Sequence, residues 1–131
     1  MAKKEIEFIE CQTAFAWQTV EGDLHGLKEK ILVVDDERLV RQSLEKELSA
    51  QGYLAISADK GRAAISLVEE ESPDLVLLDL RLPDLNGIEV LKRLREIDKN
   101  LMVLVMTAYG SIDTAIAAIR SGAYDYLTKP F

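Results

Sequence analysis

The stretch "SPDLVLLDLRLPDLNG", residues 72–87, sets four apolar residues, Leu75 to Leu78, directly before a carboxylate, Asp79. An unbroken apolar run of this kind reads as a strand buried on both faces. A charge at its end is out of place in such an interior unless that end opens onto a site where the charge is wanted.

Working outward, "ILVV" at 31–34, "YLAIS" at 53–57, "LMVLVM" at 101–106 and "YDYL" at 124–127 read as four further strands. Amphipathic stretches separate them, and strands alternating with helices imply crossover units on a parallel sheet. The first helix starts at about Glu37, places Leu39, Val40, Leu44 and Leu48 on one face, and meets Gly52 as a terminator. The second takes Asp59 as its cap, carries Ala64, Ile65 and Val68, and stops before Pro73. The third opens on Asn86, with Glu89 three residues later and Val90, Leu91 and Leu94 behind it. The fourth opens near Ser111, carries Ile112, Ala115, Ile116 and Ile119, and closes at Gly122.

A chain of 131 residues holds one ordinary domain with a core, plus an appendage. No apolar run approaches the ~20 residues that cross a bilayer, and glutamates interrupt the apolar positions of "MAKKEIEFIEC" that a signal peptide would need. A net charge of −7, with no cluster of lysine and arginine to offset it, disfavours direct binding to a phosphate backbone. One cysteine, Cys11, and one histidine, His25, make neither an internal disulfide nor a Cys/His metal set. A cytoplasmic protein without membrane contact is expected.

An open parallel sheet binds its ligand beyond the carboxyl ends of its strands. There the first strand ends in Asp35 and Asp36, the third in Asp79 and the fourth in Thr107, while Lys129 and Pro130 follow the fifth. If strands one and three are neighbours, three carboxylates share a crevice and repel unless a cation intervenes, and all-oxygen ligands favour magnesium or a similar hard ion. Asp79 is then expected at the exposed mouth of its strand. Taken singly, each residue has a plainer reading: Asp35 and Asp36 as helix caps, Asp79 as a solvated loop acid, Lys129 as a surface lysine.

Together, "LVVDDE" at 32–37, "LVLLDLRLPDLNG" at 75–87, "VMTAYG" at 105–110 and "AYDYLTKPF" at 123–131 resemble the receiver domain of bacterial two-component response regulators over residues 29–131. The wording from Thr107 to Phe131 looks most like receivers attached to enhancer-binding transcription activators of the nitrogen-regulation type. The resemblance implies a flavodoxin-like, doubly wound five-stranded parallel sheet of order 2-1-3-4-5. It also implies that Asp79 accepts a phosphoryl group from a histidine kinase. Asp36, Asp79 and the backbone carbonyl of Arg81 would bind magnesium, with Asp35 acting through water. Lys129 and Thr107 would contact the phosphoryl oxygens, and Thr107 and Tyr126 would form the switch. Arg81 and Tyr109 would tune the lifetime of the aspartyl phosphate, and the Lys129–Pro130 peptide would be cis. Tyr126 has the plainer reading of an aromatic filling a half-buried strand position.

The family's last helix, after "KPF", is missing from the chain, whereas residues 1–28 precede the domain. Ile6, Ile9, Thr13, Ala16 or Trp17, Val20, Leu24 and Leu27 are spaced as one apolar helical face. This segment could stand in for the missing helix, or serve as a partner or homodimer contact, or be disordered in a piece of a longer regulator, and "EIEFIE" at 5–10 also alternates like a strand. The output domain or downstream protein would lie outside the chain. The competing functional reading is a receiver-like interaction module that works without phosphorylation. A phosphatase with an aspartyl nucleophile would want an acid where Arg81 stands, and a dinucleotide-binding enzyme a glycine-rich turn where "DDERL" stands.

Overall fold

A computed structural model of the chain describes residues 29–107 and 112–128. Residues 1–28, with Cys11, Trp17 and His25, lie outside the described residues, as do Tyr109, Lys129 and Pro130. The elements follow one another as β1 (Lys30–Val34), α1 (Arg38–Ala50), β2 (Leu54–Ala58), α2 (Gly61–Glu71), β3 (Leu75–Asp79), α3 (Gly87–Ile97), β4 (Met102–Thr107), α4 (Ile112–Arg120) and β5 (Asp125–Thr128). All five strands are parallel, in the order β2-β1-β3-β4-β5, the flavodoxin-like arrangement expected. No helix among the described residues is long and apolar enough to cross a membrane.

Alternation along the strands divides the core in two. Leu32, Val34, Val76, Leu78, Val103 and Val105 point to one side, where α2 (Ala64, Val68), α3 (Val90, Leu91, Leu94) and α4 (Ala118) meet them. Ile31, Val33, Leu75, Leu77, Leu104, Met106 and Leu127 point to the other, where α1 contributes Leu44 and Leu48. Because β1, β3 and β4 are buried from both sides, their sequences run apolar without a break.

Local signals explain most boundaries. After α1, Gly52 adopts φ +96° and the Tyr53 N–H donates to the Leu48 carbonyl at 3.0 Å, a six-to-one closure that a left-handed glycine permits. Asn86 caps α3 as expected, its side chain accepting the Ile88 N–H at 2.8 Å. Glu89 pairs along the same helix with Arg93 at 3.5 Å.

Three expectations are corrected. Leu39 is 79% exposed, because Val40, Leu44 and Leu48 form the inward stripe and Leu39 stands about 140° round the helix from Leu44. In α4 the inward stripe is Ala115 and Ala118, so Ile116 and Ile119 face outward. The cap of α2 is not Asp59: the capping position is Lys60, with no side-chain bond of its own. A carboxylate from a distant loop does that work instead, since Asp84 accepts from the Gly61 N–H at 2.8 Å and the Arg62 N–H at 3.0 Å.

Candidate functional site

Strand pairing makes the site. Val34 lies opposite Leu78, so one step further Asp35 comes level with Asp79, and Asp79 in turn lies opposite Met106, the residue before Thr107. Asp35, Asp36 and Asp79 each offer a carboxylate oxygen, and these oxygens all lie within 4.8 Å of one another. Oxygens on opposite sides of an octahedral magnesium stand about 4.2 Å apart, so this trio fits a small hard cation with slight closure. Three formal negative charges at this separation repel strongly.

The backbone aims two of the three. Asp35 accepts the Glu37 N–H at 2.9 Å, and Asp79 accepts the Arg81 N–H at 2.9 Å, each a short turn that turns the carboxylate toward the amide two residues on. Asp79 therefore does not stand at an exposed mouth as expected. It is the last residue of β3 and 5% exposed, and Asp35 is fully buried; of the three acids only Asp36 is open to solvent. Thr107 ends β4, is buried, and pairs with Thr128, the residue before Lys129. Tyr126 sits on β5 opposite Val105 with its side chain 43% exposed.

The loop from Leu80 to Asn86 closes over this end of the sheet through an Arg81–Asn86 bridge and a Gly87 N–H to Leu80 carbonyl bond of 3.2 Å. It closes tightly: a Cβ on Gly87 would fall 2.4 Å from the Leu80 Cα, so only glycine lets the loop return to its starting point. Three contributors carry no motif strong enough to mark them in the sequence. Arg41 donates to the Asp35 backbone carbonyl at 2.7 Å, Asp84 ties the loop to α2, and Gly87 permits the close approach. Burial opposes the charge on Asp84, but N–H groups of Arg62, Gly61, Asp84 itself and Leu85 outweigh it and hold the carboxyl below its ordinary value. The one available sign of Asp84 was its place in "LPDLNG", where an acid after proline is an ordinary turn residue.

Comparison with known proteins agrees with this geometry. The family model described as the response regulator receiver domain matches residues 31–131. Sporulation initiation phosphotransferase F of Bacillus subtilis is 43% identical over 105 residues, which are 80% of this chain and 85% of that protein. Regulatory protein AtoC of Escherichia coli is 43% identical over 102 residues, 78% of this chain, of which it spans 22% of the longer protein. The crystal structure of NtrX from Brucella abortus superposes with a TM-score of 0.77 at 36% identity, over 80% of this chain and 24% of that one.

Proposed function

Because the chain belongs to the response regulator receiver domain family, we propose that it acts as a phosphoacceptor in a two-component relay, with Asp79 taking the phosphoryl group from a histidine kinase. The observation that carries this reading is the gathering of Asp35, Asp36 and Asp79 at the carboxyl ends of β1 and β3. A relative whose name is that of a phosphotransferase, and most of whose length this chain covers, supports it.

In this reading an Asp79 carboxylate oxygen attacks phosphorus while the bond from phosphorus to the kinase's imidazole nitrogen breaks, and its electron pair returns to the ring. The Arg81 N–H on Asp79 fixes the direction from which that attack is made. Asp36, Asp79 and the Arg81 carbonyl hold magnesium, with Asp35 in support. Bound there, the ion supplies positive charge that offsets the acids and the transferring oxygens. The Thr107 hydroxyl donates to a phosphoryl oxygen, and the Lys129 ammonium offsets a second. Tyr126, half in solvent on β5, then turns inward and alters the surface it shares with α4. Arg81 and Tyr109 set how long the phosphoryl group stays. A longer natural protein would carry the output.

The test is direct. Incubation with magnesium and a small acyl phosphate should add the mass of one phosphoryl group to the intact protein, and Asp79→Asn should abolish the gain. An unmodified wild-type protein that still binds a histidine kinase would instead establish the interaction module that needs no phosphorylation.

A further inference from the structure

The loop from Leu80 to Asn86 carries Arg81, and its tip is tied to a helix that contributes nothing to the acid trio. Its two ends are pinned to each other by the Arg81–Asn86 bridge and the Gly87 N–H on the Leu80 carbonyl. Its middle is held by Asp84, which reaches across to the start of α2 and accepts the Gly61 N–H at 2.8 Å and the Arg62 N–H at 3.0 Å. The first amides of a helix have no carbonyl of their own helix to bond, so the carboxylate meets donors that would otherwise lie open. The Arg62 side chain adds little, since its Nε stands 4.0 Å away and the side chain is 80% exposed. Close packing brings the segments together: a Cβ on Gly61 would fall 2.7 Å from Val90 Cγ2 and 3.2 Å from Leu85 Cβ, so glycine there lets α2 begin against the loop and α3.

What holds Asp84 is passed back to Arg81 through a short, stiff stretch. Leu82 and Pro83 alone lie between them. The proline ring fixes its own φ, and a residue before proline is confined to extended backbone. Few rotations are left between the Asp84 anchor and the Arg81 carbonyl, and on the other side the Arg81 N–H is fixed on Asp79 at 2.9 Å.

We propose that Asp84 is a positioning residue for the metal site: by tying the loop to α2 it holds the Arg81 carbonyl in place as a magnesium ligand. This rests on the reading above in which that carbonyl, with Asp36 and Asp79, receives the ion. Without the anchor the loop samples other orientations, and affinity falls in proportion to the share of molecules whose carbonyl stays in place. The coupling is reciprocal, so bound magnesium must favour the anchored loop by the same factor.

Magnesium titration of the intact protein by calorimetry is the first test. Asp84→Ala should weaken binding roughly 10-fold, and Asp84→Asn, which keeps one acceptor oxygen, by less. Phosphoryl uptake by Asp84→Ala from a small acyl phosphate should need correspondingly more magnesium for half-saturation, yet reach the wild-type rate once magnesium saturates. Val68→Ala, a core change about two turns beyond the anchored amides, should lower Tm and leave magnesium affinity unchanged, which separates positioning from stability. In the wild type, hydrogen exchange at the Gly61 and Arg62 amides should slow several-fold when magnesium is added. Equal magnesium affinity in the wild type and both Asp84 variants, or a loss matched by Val68→Ala, would overturn the proposal and leave the phosphoacceptor reading intact. Exchange at Gly61 and Arg62 that ignores magnesium would overturn it as well. A wild type that neither binds magnesium nor gains a phosphoryl group would overturn both.

Discussion

The same strands, β1 and β3, build two opposite ends of the sheet, and the charges at these ends are arranged in contrary ways. At the amino end the Lys30 N–H donates to Asp74 Oδ2 at 2.8 Å, the Asp74 N–H donates to the Lys30 carbonyl at 2.8 Å, and Lys30 Nζ lies 3.2 Å from Glu71. Signs alternate there and the strands are held in register. At the carboxyl end three acids crowd within 4.8 Å, and the Arg41 guanidinium beside them donates to the Asp35 main-chain carbonyl. One end pairs unlike charges across neighbouring segments, the other gathers three acids that could hold a cation.

The strongest way to break this comparison is Asp79→Asn. Phosphoryl uptake should vanish, while urea unfolding without magnesium should still show a cooperative transition like that of the wild type. A clear loss of stability would mean that the acid is structural. Next in size, Gly87→Ala should destabilise by about 1–3 kcal/mol in the same measurement, since its Cβ must push against the Leu80 backbone. Asp36→Ala should weaken magnesium binding at least ~10-fold in calorimetric titration and leave the fold intact, because Asp36 is the solvent-facing member of the trio.

The amino end is sharpened by smaller effects. Desolvation raises the Asp74 carboxyl above its ordinary value of 3.8, and the Glu29 charge adds to that, against the Lys30 N–H bond and the Lys30 charge, which lower it. Between 3.8 and the raised value the folded protein binds more protons than the unfolded chain, so Asp74 makes stability fall as pH rises through that window. Asp74→Asn should remove this contribution, so that its stability relative to wild type improves from low pH up to the top of the window and then levels off. Asp84 works with the opposite sign: its stabilisation is present above 3.8 and lost as pH falls through its depressed value, and Asp84→Ala should erase that slope. Smallest of all, Glu71→Ala should cost below about 1 kcal/mol, and less in high salt, because the ion pair with Lys30 is partly open to solvent.

The strands were legible in the sequence to within a residue at each end; for β1, β3 and β4 this is because a strand buried on both sides must be apolar throughout. Helix existence was legible too, but the inward stripe was not always so. Leu39, Ile116 and Ile119 are apolar residues that periodicity assigned to the core and packing left outside. In α4 the alanines face the sheet, and a helix that packs through small residues turns its larger ones away. Asp79 was singled out correctly as anomalous, yet its burial was missed, since the Arg81 amide that folds the carboxylate back is invisible in a string of residue types. The capping of α2 by Asp84 was missed for a related reason: donor and acceptor are 23 positions apart, and nothing local links them.

The sequence by itself determined the alternation of strand and helix and the placing of acids, a hydroxyl and a lysine next to strand ends. These are consequences of local periodicity, which each segment carries in its own residues. The tertiary structure alone decided that β1 lies beside β3, that Asp35, Asp36 and Asp79 come within 4.8 Å of one another, and that a loop acid caps a helix it does not precede. Those facts belong to pairs of segments, and their energies arise only when distant parts of the chain are brought into contact.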